Sequence, residues 1–413
     1  MNLSERSALP AGALAVRVVL PFAAGYFMSF LYRTVNAVLA PHIAKVVHLD
    51  AGDLGLMTGI YFLTFAAFQL PLGILLDRFG PRRVEAGLLL FAAMGAGAFS
   101  LAEAAGTLIG GRALVGLGVS ACLMAALKAN VQWFPAHRLP LMNGVILSAG
   151  GLGAVAATAP VQAALAFTDW RGIYAGLAVI TVAVAVALFA VVPDRQRGGV
   201  HAENLAVQLA EVAGIFRNRA FLHVMPLGAL AMGSFLAIQG LWAGPWLRDV
   251  AGLDPDGVAA GLTIMAGAMA AGFLLGGVIA DRLARYHIPV AVVAGTGMAV
   301  FVLVSALLAL GWVGAPMVLC AAFGFFGASS SLAYAVVTQL FSAHLAGRAS
   351  TSINLTMFAA AFLLQWGLGA IIGLWPKGPA GWPPEAYQVA FGLPCAAMAA
   401  ALLWFISGAR ASR

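Results

Sequence analysis

The sequence predicts an all-α membrane protein of twelve transmembrane helices laid out as two like halves, and three observations carry that prediction. Of 413 residues, 62% are hydrophobic and only 9% charged, where soluble domains carry roughly 25% charged residues. The apolar residues fall in runs long enough to cross a bilayer, since ~20 residues of helix cover ~30 Å of hydrocarbon. Short polar signatures also recur at nearly one offset. Asp77 and Asp281 stand 204 positions apart, and the tetrapeptides FPAH (134–137) and FSAH (341–344) stand 207 apart.

The spans of the first half fall at about 14–40, 53–76, 84–104, 107–131, 140–166 and 171–192. Those of the second fall at 221–247, 256–280, 288–310, 315–341, 350–373 and 387–407. This divides the chain into 1–193, a polar linker at 194–220, and 221–413. The polar start is short and the first apolar run lacks a cleavage-like ending, so it reads as a retained helix and not a signal peptide. Most of the basic residues, among them Arg78, Arg82, Arg83, Arg138, Arg195, Arg217, Arg282 and Arg348, sit on alternate connections, whereas Lys45, Arg171, Arg248 and Lys377 sit on the other side. The positive-inside rule then puts both termini in the cytoplasm. Richness in alanine and arginine suits a bacterial inner membrane.

Span one carries Tyr26, Ser29, Arg33 and Asn36 at helical spacing, one polar stripe. A guanidinium facing lipid would be badly solvated, so the stripe should face the protein interior, where the planar fork of arginine suits a carboxylate or phosphate. The alternative is that Arg33 snorkels to the membrane surface. Spans two and three are joined by GILLDRFGPRR, residues 73–83. Asp77 should lie where a helix meets water, with Arg78, Arg82 and Arg83 among the headgroups, and Gly80 lets the chain turn. Span four holds Arg112, which either hydrogen-bonds a neighbouring helix or acts in coupling and gating. It also holds Lys128, which either enters the pocket or anchors the helix to headgroups. In the linker, Leu205, Leu209, Val212 and Phe216 form a weak amphipathic pattern, as for a helix along the membrane face.

In the second half, span seven aligns Phe235, Gln239, Trp242 and Trp246. Span ten aligns Ser331, Tyr334 and Thr338, and span eleven Asn354, Phe358 and Gln365. Each stripe serves helix packing or a pocket wall of aromatic and neutral hydrogen-bonding groups. No Asp or Glu is expected deep in a span, with Glu85 and Glu103 placed near helix ends. The candidate substrate-binding set is therefore Arg33, Asn36, Tyr61, Lys128, Gln239, Trp242, Tyr334 and Asn354, two cations among neutral groups. It points to an anion with an organic body.

The run Gly-x3-Asp-Arg-x-Gly-x-Arg-Arg at 73–83 resembles motif A of the major facilitator superfamily, with Pro81 where many members carry a basic residue. A weaker copy, GVIADRLAR at 277–285, has Ala284 in place of the second glycine. The resemblance covers nearly the whole chain and implies two pseudo-symmetric six-helix bundles that alternate access to a central site. It also implies gating roles for Asp77, Arg78, Arg82, Arg83, Arg112, Asp281 and Arg282. GRALVGLG at 111–118 resembles the superfamily's Arg-x3-Gly-x-Gly motif, whereas its Gly-Pro antiporter signature is not matched in span five. Lys128-x4-Trp133-Phe134 and Arg33-x7-Pro41 resemble organophosphate and organic-anion members, but the second arginine of phosphate-ester carriers is missing from span seven, so the resemblance implies a carboxylate or a zwitterion at least as much as a phosphate ester.

The function expected is a secondary transporter acting as a monomer on a small-molecule substrate, with a coupling proton or counter-anion. Two alternatives stay open. One is a copper importer using Met225, Met232, Met265 and Met269, because thioethers suit Cu(I). The other is a solute-sensing receptor on a transporter fold. Cys122, Cys320 and Cys395 lie in apolar runs, which leaves no disulfide framework and no zinc spacing. No cofactor, nucleic acid or enzymatic constellation is expected.

Overall fold

A computed structural model of the chain describes residues 11–135, 138–193, 205–379 and 381–411. Among these, ten helices are long and apolar enough to cross a bilayer. The number is eleven when α1 (Ala11–Thr34) and α2 (Asn36–Val47), bent by 48° around Val35, count as one. Helix starts are set by local chemistry. Asp50, Asp169 and Asp254 accept from the backbone N–H three residues on, at 2.7 to 3.0 Å, and Asn218 accepts from Ala220 and Phe221. Such a cap contributes about 1 kcal/mol.

The second and third predicted spans are one long element, α3 (Ala51–Ser100), interrupted at Gly80 with φ 79° and ψ 159°. Only glycine takes that conformation cheaply. Pro81 then starts the second segment, where its missing N–H costs nothing. The expected charged turn is thus a one-residue joint. Span four is α4 (Ala105–Gly118) and α5 (Cys122–Trp133). The fifth predicted span departs from expectation, because 140–166 forms two short helices, α6 (Leu139–Ala156) and α7 (Ala159–Ala164). Pro160 lacks an N–H, and its ring crowds the carbonyl four residues back, so the helix stops at Ala156. Thr263 fills the interruption, its hydroxyl donating to Thr158 Oγ1 at 2.9 Å.

The remaining elements are α8 (Trp170–Val191), α9 (Leu205–Arg217), α10 (Arg219–Ala237), a π-helical turn (Ile238–Trp242) and α11 (Ala243–Asp249). They continue with α12 (Pro255–Ala284), α13 (Val290–Ala309), α14 (Pro316–Gly327), a 3-10 turn (Ala328–Ser331), α15 (Leu332–Gln339), α16 (Ala343–Ile372) and α17 (Pro384–Ala411). Helix α9 lies within the segment expected to be the linker, and Arg348 of α16 forms an ion pair with its Glu211. Linker residues 194–204, and Ala136 and His137 of the first tetrapeptide, lie outside the described residues.

Glycines press α3 onto α16. A Cβ at Gly55 would sit 2.8 Å from Gln365 O, and one at Gly369 would sit 2.2 Å from Ala51 O. Helix backbones approach so closely only where side chains are missing. A similar contact joins α2 to α11. Pro41 has no N–H to give to Ala37 O, and Gly244 covers that carbonyl, so closely that a Cβ would sit only 2.6 Å from it. The α3–α16 seam closes the end of the molecule at Lys45 and Ala51 and runs inward to Phe65, which stacks on Phe358 at 4.3 Å. At the far end Asp77, Arg78 and Phe79 are exposed.

Candidate functional site

Arg33 ends the last turn of α1, just before the break at Val35, and is 8% exposed. Its guanidinium carbon lies 4.4 Å from the ring centre of Phe30, 5.2 Å from Phe358 and 5.6 Å from Phe65. Helices α1, α3 and α16 thus build one aromatic cage. Ring faces stabilise a desolvated cation by about 2 kcal/mol, yet they do not satisfy its N–H donors. Among the described residues no carboxylate pairs with Arg33, and its buried Nε has no hydrogen-bond partner. The cage therefore holds a positive charge whose donor edge is open to an acceptor. Arg33 lies between helices and does not reach for the surface.

Other polar groups converge here. Tyr26 meets Phe30 edge-on at 5.1 Å. Tyr334 of α15 donates to Asn354 Oδ1 of α16 and lies within electrostatic reach of Arg33 and Tyr26. The π-helical turn brings Gly240 against the carbonyl of Arg33 and the side chain of Gln365, where a Cβ would sit 3.6 and 3.9 Å away. Such turns are frequent at functional sites. Gln239 beside it is buried with its Nε2 unpartnered, and Gln365 is fully buried with neither amide atom bonded. Buried polar atoms without partners are uncommon in folded proteins. Here both glutamines sit at the π-helical turn that meets the backbone of Arg33, and Gln365 takes a place in the set that its spacing on span eleven had suggested.

The other sequence candidates are engaged elsewhere. Asn36 donates to Thr58 Oγ1 at 3.2 Å and accepts from Tyr174 at 2.6 Å. Tyr61 donates to Ser29 O at 3.2 Å, and Trp242 donates to Gln365 O at 3.1 Å. Arg112 stands over the Tyr61 ring at 5.0 Å and donates to Tyr32 O at 2.8 Å, so it bonds a neighbouring helix. Lys128 forms an ion pair with Asp77, their side chains 28% and 43% exposed. The expectation of two cations in one cavity is corrected accordingly. Chain folding returns the end of α5 to the middle of α3, a juxtaposition no local pattern records.

Of the expected gating groups, Arg78 lies over Phe79 at 5.2 Å and Arg82 over Phe189 of α8 at 4.7 Å, while Arg83 is exposed. Asp281 pairs with Arg285 at 3.5 Å, and Arg282 on the same turn is exposed. Glu85, expected near a helix end, lies one turn after the Gly80 joint and is fully buried. It falls on one helical stripe with Leu89, Ala92 and Ala96, all fully buried, and that spacing was the signal available for finding it. The methionines are packed. Met232 accepts from Ser330 at 3.5 Å, and the backbone of Met265 and Met269 lies against Gly324 of α14.

A family model described as the Major Facilitator Superfamily matches residues 22–365. The chain belongs to the Major Facilitator Superfamily. Its family and its many apolar helices make it a multi-pass membrane protein. Among its relatives, the probable L-galactonate transporter of Escherichia coli K12 is 26% identical over 62% of this chain and 60% of its own length. The probable sulfoacetate transporter SauU of Cupriavidus necator is 24% identical over 62% and 63%. This superfamily chain therefore spans about three fifths of the length of those relatives. The fold is similar to that of a bacterial homologue of the human lysosomal transporter Spinster, solved inward-facing and occupied, with TM-score 0.72 and 17% identity over 96% of each chain. It is also similar to the nucleoside transporter NupG, with TM-score 0.72 and 14% identity over 94% and 99%.

Proposed function

We propose that the chain is a secondary transporter that moves a small organic anion across the bacterial inner membrane by alternating access. The observation that carries this reading is Arg33, a buried guanidinium held by three aromatic rings with no acidic partner among the described residues. An uncompensated cation at the centre of a membrane protein is expensive. An anionic solute lowers that cost on arrival, and the neutral amides and hydroxyls around it suit a polar organic body. The names of relatives support the same class: L-galactonate and sulfoacetate are organic anions, and a hexuronate transporter of Escherichia coli K12 is 26% identical over 36% of this chain.

In this reading residues 1–193 and 221–413 form two pseudo-symmetric six-helix bundles joined by 194–220, with the broken α6–α7 pair as the fifth of twelve spans and both termini cytoplasmic. The glycine seam is the closed periplasmic gate, and Asp77, Lys128 and the nearby arginines lie at the open cytoplasmic one. The transporter works as a monomer, coupled to a proton or exchanging a counter-anion.

Counterflow in proteoliposomes tests it. Vesicles preloaded with L-galactonate, D-galacturonate or sulfoacetate should accumulate the same labelled acid saturably, and D-galactose should not exchange. Thermal stabilisation by an acid without any counterflow would overturn the transport reading in favour of a receptor. Exchange of the neutral sugar alone would overturn the anion.

A further inference from the structure

Glu85 has no place in the site described above, and its surroundings are unusual. It lies one turn into the second segment of α3, fully buried, and neither carboxyl oxygen has a hydrogen-bond partner of normal geometry. The carboxyl rests on the backbone of α1 at Gly25, where a Cβ would come within 2.1 Å of Glu85 Oε1. Leu89 lines the same contact. The Cys122 thiol, at the start of α5, is the one titratable group that acts on it directly. Arg33 of α1 reaches Cys122 through space, and so does Glu85 itself. Of the charged and titratable groups on this part of α3 and on the helices packed against it, Arg82 lies over Phe189 of α8, Tyr174 of α8 stacks on Phe99 and is bonded to Asn36, and Arg112 of α4 is bonded to Tyr32 O. Among the described residues no cation pairs with Glu85, and at Gly25 α1 has cleared a glycine-sized space for its carboxyl.

An ionised carboxylate in such a place is strongly disfavoured, whereas the neutral acid is tolerated. Ionisable groups retained within spans at this cost serve ion pathways by default. We infer that Glu85 is the proton-binding group of the transporter, holding one proton per cycle next to Gly25 and Cys122. The step balances simply: the carboxylate takes one H⁺ from water when its side is open and returns it on the other side. No oxidant or further reactant is needed. This inference rests on the proposed anion transport, because its consequence is coupling between proton and anion. Glu85 and Arg33 both act on Cys122 through space, so a proton on Glu85 removes a negative charge that opposes the anion, and anion and proton each favour the other's binding. Reciprocal coupling of this kind amounts to roughly tenfold in affinity.

Two measurements test the inference, one of them independent of any solute. A hydrophobic carbodiimide attacks protonated, desolvated carboxyls. In the purified full chain, mass spectrometry should find the adduct on Glu85, diminishing as pH rises from 5.5 to 8.5 and missing in Glu85→Gln. No adduct on Glu85 at any pH, or labelling that ignores pH, would overturn the assignment. In proteoliposomes with labelled L-galactonate and D-galacturonate, an inward proton gradient should drive accumulation by the wild type. In Glu85→Gln accumulation should be lost, and counterflow should no longer change with pH. Gradient-driven accumulation by Glu85→Gln would refute the proton role. A wild type that carries neither acid would instead weaken the proposed transport and leave the carbodiimide result to decide the proton site. Glutamine resembles the neutral acid in shape, so a melting temperature matching the wild type shows that the variant folds.

Discussion

Replacement of Arg33 discriminates most sharply between a binding group and a structural one. The guanidinium sits 4.4 to 5.6 Å from three ring centres, and its buried Nε has no hydrogen-bond acceptor among the described residues. Its donors are therefore available to a bound anion, and a charge-assisted hydrogen bond contributes about 1.5 to 3 kcal/mol. Arg33→Ala should weaken binding of the transported acid by roughly tenfold to a hundredfold or more. Arg33→Lys should fail substantially as well, because an ammonium keeps the charge but loses the two-pronged geometry and much of the stacking. Stability should move differently. Removing an uncompensated buried cation relieves its desolvation cost, so the unliganded Arg33→Ala protein should melt no lower than the wild type. Calorimetry of the purified variants with the acid and with a neutral analogue, beside melting curves without ligand, supplies both numbers. Unchanged affinity in both variants, equal losses for the neutral analogue, or a sharply lowered melting temperature would refute the reasoning.

Three further outcomes follow from the same geometry. Asp77→Asn and Lys128→Ala should each cut uptake strongly while lowering stability by no more than about 1 kcal/mol, because the pair is part-exposed; the exchanged pair Asp77→Lys with Lys128→Asp should recover some uptake, and no recovery would show that charge pairing is not what matters. Gly369→Ala places a Cβ 2.2 Å from Ala51 O, so the closed end must part by about an ångström; spin labels at the exposed positions Val46 and Leu374 should report a longer distance, and an unchanged distribution would mean that the seam is no gate. Asn36→Ala leaves Tyr174 and Thr58 without their partner and should cost about 1 to 3 kcal/mol per stranded group, read as a lower melting temperature; a loss confined to solute affinity would return Asn36 to the binding site.

Much of the fold was legible because the bilayer imposes coarse rules. Apolar runs of span length set most helices, and Gly80 with Pro81 set the joint within α3. What escaped was three-dimensional. The polar stripe of span one was expected to face a single cavity, but the stripe is shared out: Arg33 enters the cage, while Asn36 is taken by Thr58 and Tyr174. Lys128 read as a pocket cation because nothing in sequence shows that α5 ends beside Asp77. Glu85 was hidden by its neighbours Arg82 and Arg83, whose charge suggested a headgroup position, although the apolar stripe it heads continues through Leu89 and Ala92. Helix breaks at Val35 and Ala157, and the π-helical turn at 238–242, depend on packing and backbone geometry that residue pattern records only through Pro41, Pro160 and Pro245.

The glycines between α3 and α16 bear on speed as well as shape. Interlocked side chains must change rotamer and slide past one another before two helices part, so such a joint opens slowly and sticks. At Gly55 and Gly369 the surfaces meet as backbone against backbone, with no knob on the glycine side to withdraw. Two such faces separate like smooth plates, giving up contact area without an unlocking step. The friction of the cycle then resides at the opposite end, where the ion pair between Asp77 and Lys128 has to break and reform, and salt or charge substitution there should govern turnover more than any change along the smooth seam.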